Sequence, residues 1–174
     1  QNKKCAVVAD LHSFPDFVGN TFSDNERNAF CLRGGDLDID ATWDITNTSY
    51  FLLDDVTIAI GNTLTIDPGV VVKFGLRKSI LVNGALRALG TSSDPITFTS
   101  YRDDTTSDGD ANGDGSSTGA RGDWRHIKFT DTSDDSTSII DHAIVRFGGY
   151  EYGSTYNGAI DLVHASPTIQ NTDF

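Results

Sequence analysis

Gly61-Asn62-Thr63-Leu64-Thr65-Ile66-Asp67-Pro68-Gly69-Val70-Val71-Val72-Lys73-Phe74 is the stretch whose reading decides the fold. Leu64 and Ile66 alternate with Thr63 and Thr65, the period-2 pattern of a strand with one face buried. Pro68-Gly69 supplies a turn, since Pro fixes φ and Gly is free to take φ > 0. Val70 to Phe74 then reads as a second strand, rich in β-branched residues. The pattern returns in degenerate form. Gly84 to Gly90 is followed by Asp94-Pro95 and Ile96-Thr97-Phe98-Thr99-Ser100, and later by Ala143 to Gly149 and Ser166 to Phe174. Leu64 to Leu86 and Phe74 to Phe98 give a repeat of roughly 20–25 residues, made of short strands and turns with no helix between them, which points to a solenoid.

The order Trp43, Tyr50, Gly61-x-Thr63-Leu64-Thr65-Ile66-x-Pro68-Gly69-Val70-Val71-Val72-Lys73-Phe74 resembles the opening of bacterial right-handed parallel β-helix modules of the pectate-lyase-like superfamily. So do Val82-x-Gly84-x-Leu86-x-Ala88-x-Gly90-Thr91, Pro95 to Ser100, the acidic Gly-rich insert, Gly122-Asp123-Trp124 and Ser166-Pro167-x-Ile169-x-Asn171. The resemblance covers residues 42–174 and implies an all-β, right-handed parallel β-helix of the kind found in secreted and cell-surface proteins. It says little about activity, because one such helix carries many.

Composition narrows the partners. The formal net charge of the 174 residues is -12, which argues against nucleic acid or an anionic membrane as partner, since both need a basic face. It suits an extracellular protein that binds divalent cations. No apolar run approaches the ~18 residues of a membrane span. There is no Met, and the opening at Gln1 reads as a processed or excised product. Cys5 and Cys31, an even pair in an acidic, Thr/Asn/Asp-rich chain, fit a disulfide from an oxidising compartment, with two buried free thiols as the other reading. Closing that loop would stabilise by roughly 3 kcal/mol in the chain-entropy model.

Residues 1–41 show no repeat. Cys5 to Ala9 could be a strand, and Ser23-x-x-Glu26 resembles a capping box for a short helix over Asp24 to Phe30. A solenoid needs its first rung covered, so this segment is expected to be an N-terminal cap pinned by the disulfide, with a small independent binding domain as the alternative. Residues 42–174 are expected to form the β-helix.

The insert, residues 102–123, is rich in Asp, Gly, Ser and Thr. A stretch this long needs a reason to be ordered. Asp108-x-Asp110-x-Asn112-Gly113-Asp114 places oxygen ligands at alternating positions around a Gly turn, matching the first half of an EF-hand-type calcium loop. Gly119 stands where that loop would have its bidentate Glu, so Asp103, Asp104 or Asp123 would have to complete the shell around Ca²⁺. The competing reading is a mobile acidic loop.

Catalytic sets are fragmentary. Asn171-Thr172-Asp173 resembles part of the polygalacturonase motif and Ile139-Ile140-Asp141-His142 part of the pectate-lyase one, but neither has its partner residues in order. His12, His126, His142 and His164 lack the paired spacing of a zinc site. Asn47-Thr48-Ser49 is a glycosylation sequon, and Arg121-Gly122-Asp123 spells an integrin-type tripeptide that also fits the ordinary repeat. Trp124, Tyr150, Tyr152 and Tyr156 could form an aromatic platform for sugar rings. The chain stops at Phe174 in mid-repeat, and an uncapped rung offers unpaired backbone groups to whatever comes next. The reading is a non-catalytic extracellular structural or adhesive module stabilised by calcium. Its partners would be a polysaccharide, other surface proteins or further copies of itself. The alternative is a polysaccharide-active lyase or hydrolase, or a carbohydrate-binding fragment of one.

Overall fold

The computed structural model describes residues 2–17, 19–151 and 158–174. Sixteen short strands and no helix form among them. The strands fall into three sheets in which every named pairing is parallel. The chain is a parallel β-helix.

Its first complete coil is β2 (Arg27–Leu32), β3 (Gly35–Leu37) and β4 (Ala41–Trp43). The second is β5 (Tyr50–Leu52), β6 (Val56–Ile58) and β7 (Thr63–Ile66). The third is β8 (Val71–Phe74), β9 (Ile80–Val82) and β10 (Ala85–Leu89). The fourth is β11 (Ile96–Ser100), β12 (Ile127–Phe129) and β13 (Ile139–Asp141), and the fifth β14 (Ala143–Val145), β15 (Ile160–Leu162) and β16 (Thr168–Gln170). Sheet A runs β1-β2-β5-β8-β11-β14, with β1 at Cys5–Ala9; sheet B runs β15-β12-β9-β6-β3 and sheet C runs β16-β13-β10-β7-β4.

Each coil returns its apolar residues to the same angular position. Leu64 pairs with Leu86, and Trp43 with Ile66. Phe30, Tyr50, Val72, Phe98 and Val145 occupy successive rungs of sheet A, all buried. Val56, Ile80, Ile127 and the partly buried Ile160 occupy successive rungs of sheet B. Phe74 therefore stands against Ser100, not Phe98, whose rung partner is Val72. Its ring instead stacks on Trp124 at 4.1 Å and 11°. The Pro68-Gly69 turn forms as the sequence requires, with Gly69 at φ +80.

Two expectations change. Arg27–Leu32 is a strand, not part of a helix. Phe30 and Leu32 face the core, and β2 is paired on both sides, by β1 and β5, which overrides the local capping-box signal. Asn25 takes its backbone turn from the Asn28 side chain, at 3.1 Å. The sheets also reach back into the segment read as a cap, because β2 and β3 belong to the first coil. What covers that coil is the preceding chain: Leu11 is buried, and Phe17 packs edge-on against Phe30 at 5.2 Å. Cys5 and Cys31 are bonded, tying β1 to β2.

Replacing Phe74 by Ala should cost about 3–5 kcal/mol, because it empties a ring-sized volume against Trp124. Replacing both cysteines by Ala should cost roughly 3 kcal/mol. Urea unfolding followed by far-UV circular dichroism measures both, and a loss under about 1 kcal/mol for either would contradict the packing described.

Candidate functional site

The insert is a strap across the outer face of sheet A. One outward row of that face runs Cys31, Phe51, Lys73, Thr99 on neighbouring rungs, with Arg146 next along it just beyond β14. Lys73 is fully buried there, an expensive place for an ammonium without a partner. The strap supplies one. Asp108 Oδ1 lies 3.1 Å from Lys73 Nζ, and the Gly109 carbonyl accepts a hydrogen bond from it at 3.0 Å. Asp103, also fully buried, takes Thr99 Oγ1 at 2.5 Å, Thr105 Oγ1 at 2.7 Å and Arg146 Nη2 at 2.6 Å. Burial pushes the Asp103 carboxyl up, but the Thr99 and Thr105 donors and the Arg146 charge outweigh it and hold its pKa below the ordinary 3.8. The strap reaches the first coil as well, where the Ala111 carbonyl accepts from Asn28 N at 2.9 Å and Ala111 is buried.

The seven oxygen residues read from sequence as one calcium shell are thus divided. Asp103 and Asp108 pair with Arg146 and Lys73 and anchor the strap, although Asp108 Oδ2 is buried with no hydrogen-bond partner. Asp123 is buried at the strap's far end, where it accepts from Ser100 Oγ at 2.6 Å and Ala120 N at 2.9 Å. This also removes Arg121-Gly122-Asp123 as a presented tripeptide. Asp104, Asp110 and Asp114 come together instead, with ligand oxygens all within 4.8 Å of one another. Asn112 lies beside them, its amide donating to Asp114 Oδ2 at 2.8 Å.

The loop geometry centres the acidic turn two residues later than the sequence reading placed it. Asp110 Oδ1 accepts from Gly113 N at 2.7 Å and Asp114 N at 3.2 Å, and its Oδ2 accepts from Gly115 N at 3.0 Å. Asp110, and not Asp108, is the residue around which the backbone wraps. Asp110-x-Asn112-x-Asp114-Gly115 matches the D-x-[DN]-x-[DN]-G opening in full, with Gly115 at φ +88. That match was present in the sequence. Asp104 adds a carboxylate from the other arm of the strap. Its Oδ2 accepts from Ser117 N at 2.6 Å, while its Oδ1 is buried with no hydrogen-bond partner. Gly113 has no room for a side chain, since a Cβ there would sit 2.3 Å from the Glu26 carbonyl oxygen. The donor set is all oxygen, and an orphaned buried carboxylate oxygen sits at its edge, which fits a hard divalent cation.

Of the residues read as a sugar platform, Trp124 is turned inward. Trp124 is a core residue, fully buried against Phe74, with its indole N–H given to the Arg146 carbonyl at 2.9 Å. Tyr150 carries the Arg77 guanidinium 4.6 Å from its ring centre. Tyr152 and Tyr156 lie outside the described residues. The two fragmentary catalytic motifs do meet: Asp141 accepts from Asn171 Nδ2 at 2.9 Å and Gln170 Nε2 at 3.0 Å, with His142 Nδ1 at 2.8 Å. Those donors, Asn171 first, draw the Asp141 carboxyl below its ordinary range. The arrangement is a hydrogen-bonded turn ladder on adjacent coils. At the covered end, a cavity of about 290 Å³ lies between the residues 13–16 loop and Trp43 and Tyr50. The Tyr50 hydroxyl accepts from Asp44 N and Ile45 N, and burial pushes its pKa up to about 12.

No family model matches the chain and no solved structure matches it. Among curated proteins it is similar to Protein bark beetle of Drosophila melanogaster, 35% identical over 99 residues, which is 54% of this chain and 3% of that protein. The chain thus spans about 3% of the length of that relative.

Two outcomes follow from the strap. Asp108→Ala leaves the Lys73 ammonium buried and should cost about 3–5 kcal/mol, whereas Lys73→Met with Asp108→Leu should be near neutral. Equal losses in the two, read by urea unfolding, would refute the anchor. Because the Asp103 pKa is lowered on folding, its contribution is complete above 3.8 and is lost as pH falls through the folded value. Acid unfolding of Asp103→Asn should accordingly show a shallower loss of stability below about pH 4 than the parent chain; superimposable profiles would contradict the assignment.

Proposed function

We propose that this chain is a non-catalytic, extracellular structural or adhesive β-helix module whose strap is locked by Ca²⁺ at Asp104, Asp110 and Asp114, with Asn112 alongside. The observation that carries the reading is the division of the acidic residues. Two hold the strap onto the coil by internal cations, and three converge with no cationic side chain of the described residues paired to them. Clustered carboxylates repel one another, and a divalent ion turns that repulsion into a cross-link between the two arms of the strap. The disulfide supports an oxidising, extracellular setting. Among the described residues no helix is long and apolar enough to cross a membrane. The resemblance to pectate-lyase-like β-helix modules of surface proteins agrees with this reading.

Asp173 pairs with β14, exchanging bonds with Ala143 and Val145 at 2.9 and 2.8 Å.

Calcium at a hundredfold over Kd should stabilise by about 2.7 kcal/mol, a rise in Tm of about 5–10 °C. Scanning calorimetry with calcium and with chelator, on the parent chain and on Asp110→Asn, is the test. The parent should lose the increment in chelator, and the variant should lack it throughout. An unchanged Tm in chelator would remove the calcium lock.

A further inference from the structure

A second site lies on the same outer face, beside the disulfide and away from the three clustered carboxylates. Cys5, Ala29, Cys31 and Phe51 form a small buried cluster outside the main core, with Leu53 and Tyr101 packed against it. Next to it opens a cleft of about 310 Å³ lined by Arg27, Phe51, Leu53, Leu76, Lys78 and Tyr101. Its size is at the lower end for pockets that take small organic ligands.

The cleft is built by backbone and by charge. Gly75 also lines it. A Cβ at Gly75 would meet the Leu52 carbonyl at 2.8 Å, so the coil itself requires glycine there. The same missing side chain leaves open the space between the Lys78 stem and the Phe51 ring, which a Cβ would approach to 3.3 and 3.7 Å. Leu76 stands half exposed on the rim.

The cations are incompletely used. The Arg27 guanidinium lies over the Phe51 ring at 5.2 Å, and that of Arg102 over the Tyr101 ring at 5.1 Å. Their nearest carboxylates, Glu26 at 3.9 Å and Asp123 at 3.8 Å, are beyond hydrogen-bond distance. Arg27 Nε is buried and has no hydrogen-bond partner. Lys78 is held by Asp54 at 2.8 Å, with Asp54 itself well exposed. A planar guanidinium with unfilled donors, backed by an aromatic ring and flanked by an ammonium, is arranged for a flat or tetrahedral anion. The leucines and rings beside it suit an apolar body attached to that anion.

We infer that this cleft binds a small amphipathic anion, a carboxylate or sulfate carried on an apolar ring or chain, with Arg27 and Lys78 holding the charge and Leu53, Leu76 and Tyr101 the body. The site is separate from the calcium reading: Asp104, Asp110 and Asp114 are not among the residues that line it. The same chemistry could be presented by a free organic acid or by an apolar-acidic pair of side chains on a partner segment.

The test is a heteronuclear NMR titration of the full chain in chelator and in calcium. Three probes share one body: 3-phenylpropionate, the neutral 3-phenylpropanol and the cationic 3-phenylpropylamine. The acid should give saturable shifts localised to Leu53, Leu76 and Tyr101, with Kd near ~1 mM as expected for so small a ligand. The alcohol should bind about tenfold or more weakly and the amine not at all. Lys78→Gln and Arg27→Gln should each weaken the acid severalfold, and added salt should weaken it further. Tighter binding of an acetylated Phe-Glu dipeptide than of the free acid assigns the source to a protein segment, and the reverse order assigns it to a free acid. Equal affinity for acid and alcohol, shifts spread over the surface, or no saturation by about 10 mM would overturn the proposal. Binding that persists in chelator while the calcium effect on Tm is absent would sink the calcium lock alone.

Discussion

The constraint on which the rest of this structure depends is angular return: each coil must bring its inward side chains back over those of the coil before. Parallel pairing makes this possible with strands of only three to six residues, because each strand inside a sheet shares its backbone hydrogen bonds with one above and one below. No single coil buries a core. Trp43 over Ile66, Leu64 over Leu86 and Val72 over Phe98 are buried only because the neighbouring rung is there. Stability is consequently a nearest-neighbour property, and the ends are its weak points. The chain answers this at one end with Leu11, Phe17 and the Cys5–Cys31 bond.

The same stacking operates on the outside, where it creates the strap. A row running Lys73, Thr99 and Arg146 would be a costly line of donors if left against the protein with nothing facing it. Residues 102–123 face it with Asp108 and Asp103. The insert is ordered by the ladder it covers before any ion is considered. With Asp123 buried at its far end, the strap's other three carboxylates, Asp104, Asp110 and Asp114, are left close together. Anchoring and cation gathering are in this way two halves of one charge pattern, carried by residues of the same type a few positions apart.

The architecture was legible because it is periodic. The Thr63–Ile66 alternation, the Pro68-Gly69 turn and the recurring Ile/Phe strands carry both strand type and repeat length. The finer register was not: the Phe74-to-Phe98 spacing suggests a pairing two residues from the real one, since turn lengths vary between coils. The first coil was hidden because β3 is only three residues, Gly35–Leu37, and because the signal around Ser23 and Glu26 is local while the pairing that makes Arg27–Leu32 a strand is not. At the strap, composition indicated oxygen ligands but could not say which carboxylates face inward. That depends on Lys73 and Arg146, about 30–40 residues away along the chain, and no local motif contains them. Trp124 was hard to place for a related reason: the ring it stacks on, Phe74, lies far from it along the chain, so nothing local marks it as core.

The most direct test of parallel angular return is a set of inter-rung nuclear Overhauser contacts in uniformly labelled protein. Val72 should contact both Phe98 and Tyr50, and Val82 should contact both Ile58 and Phe129, so that along each strand partner numbers rise together. Contacts in which one partner's number falls as the other's rises would mean antiparallel hairpins, and would contradict the parallel β-helix and every site built on its face.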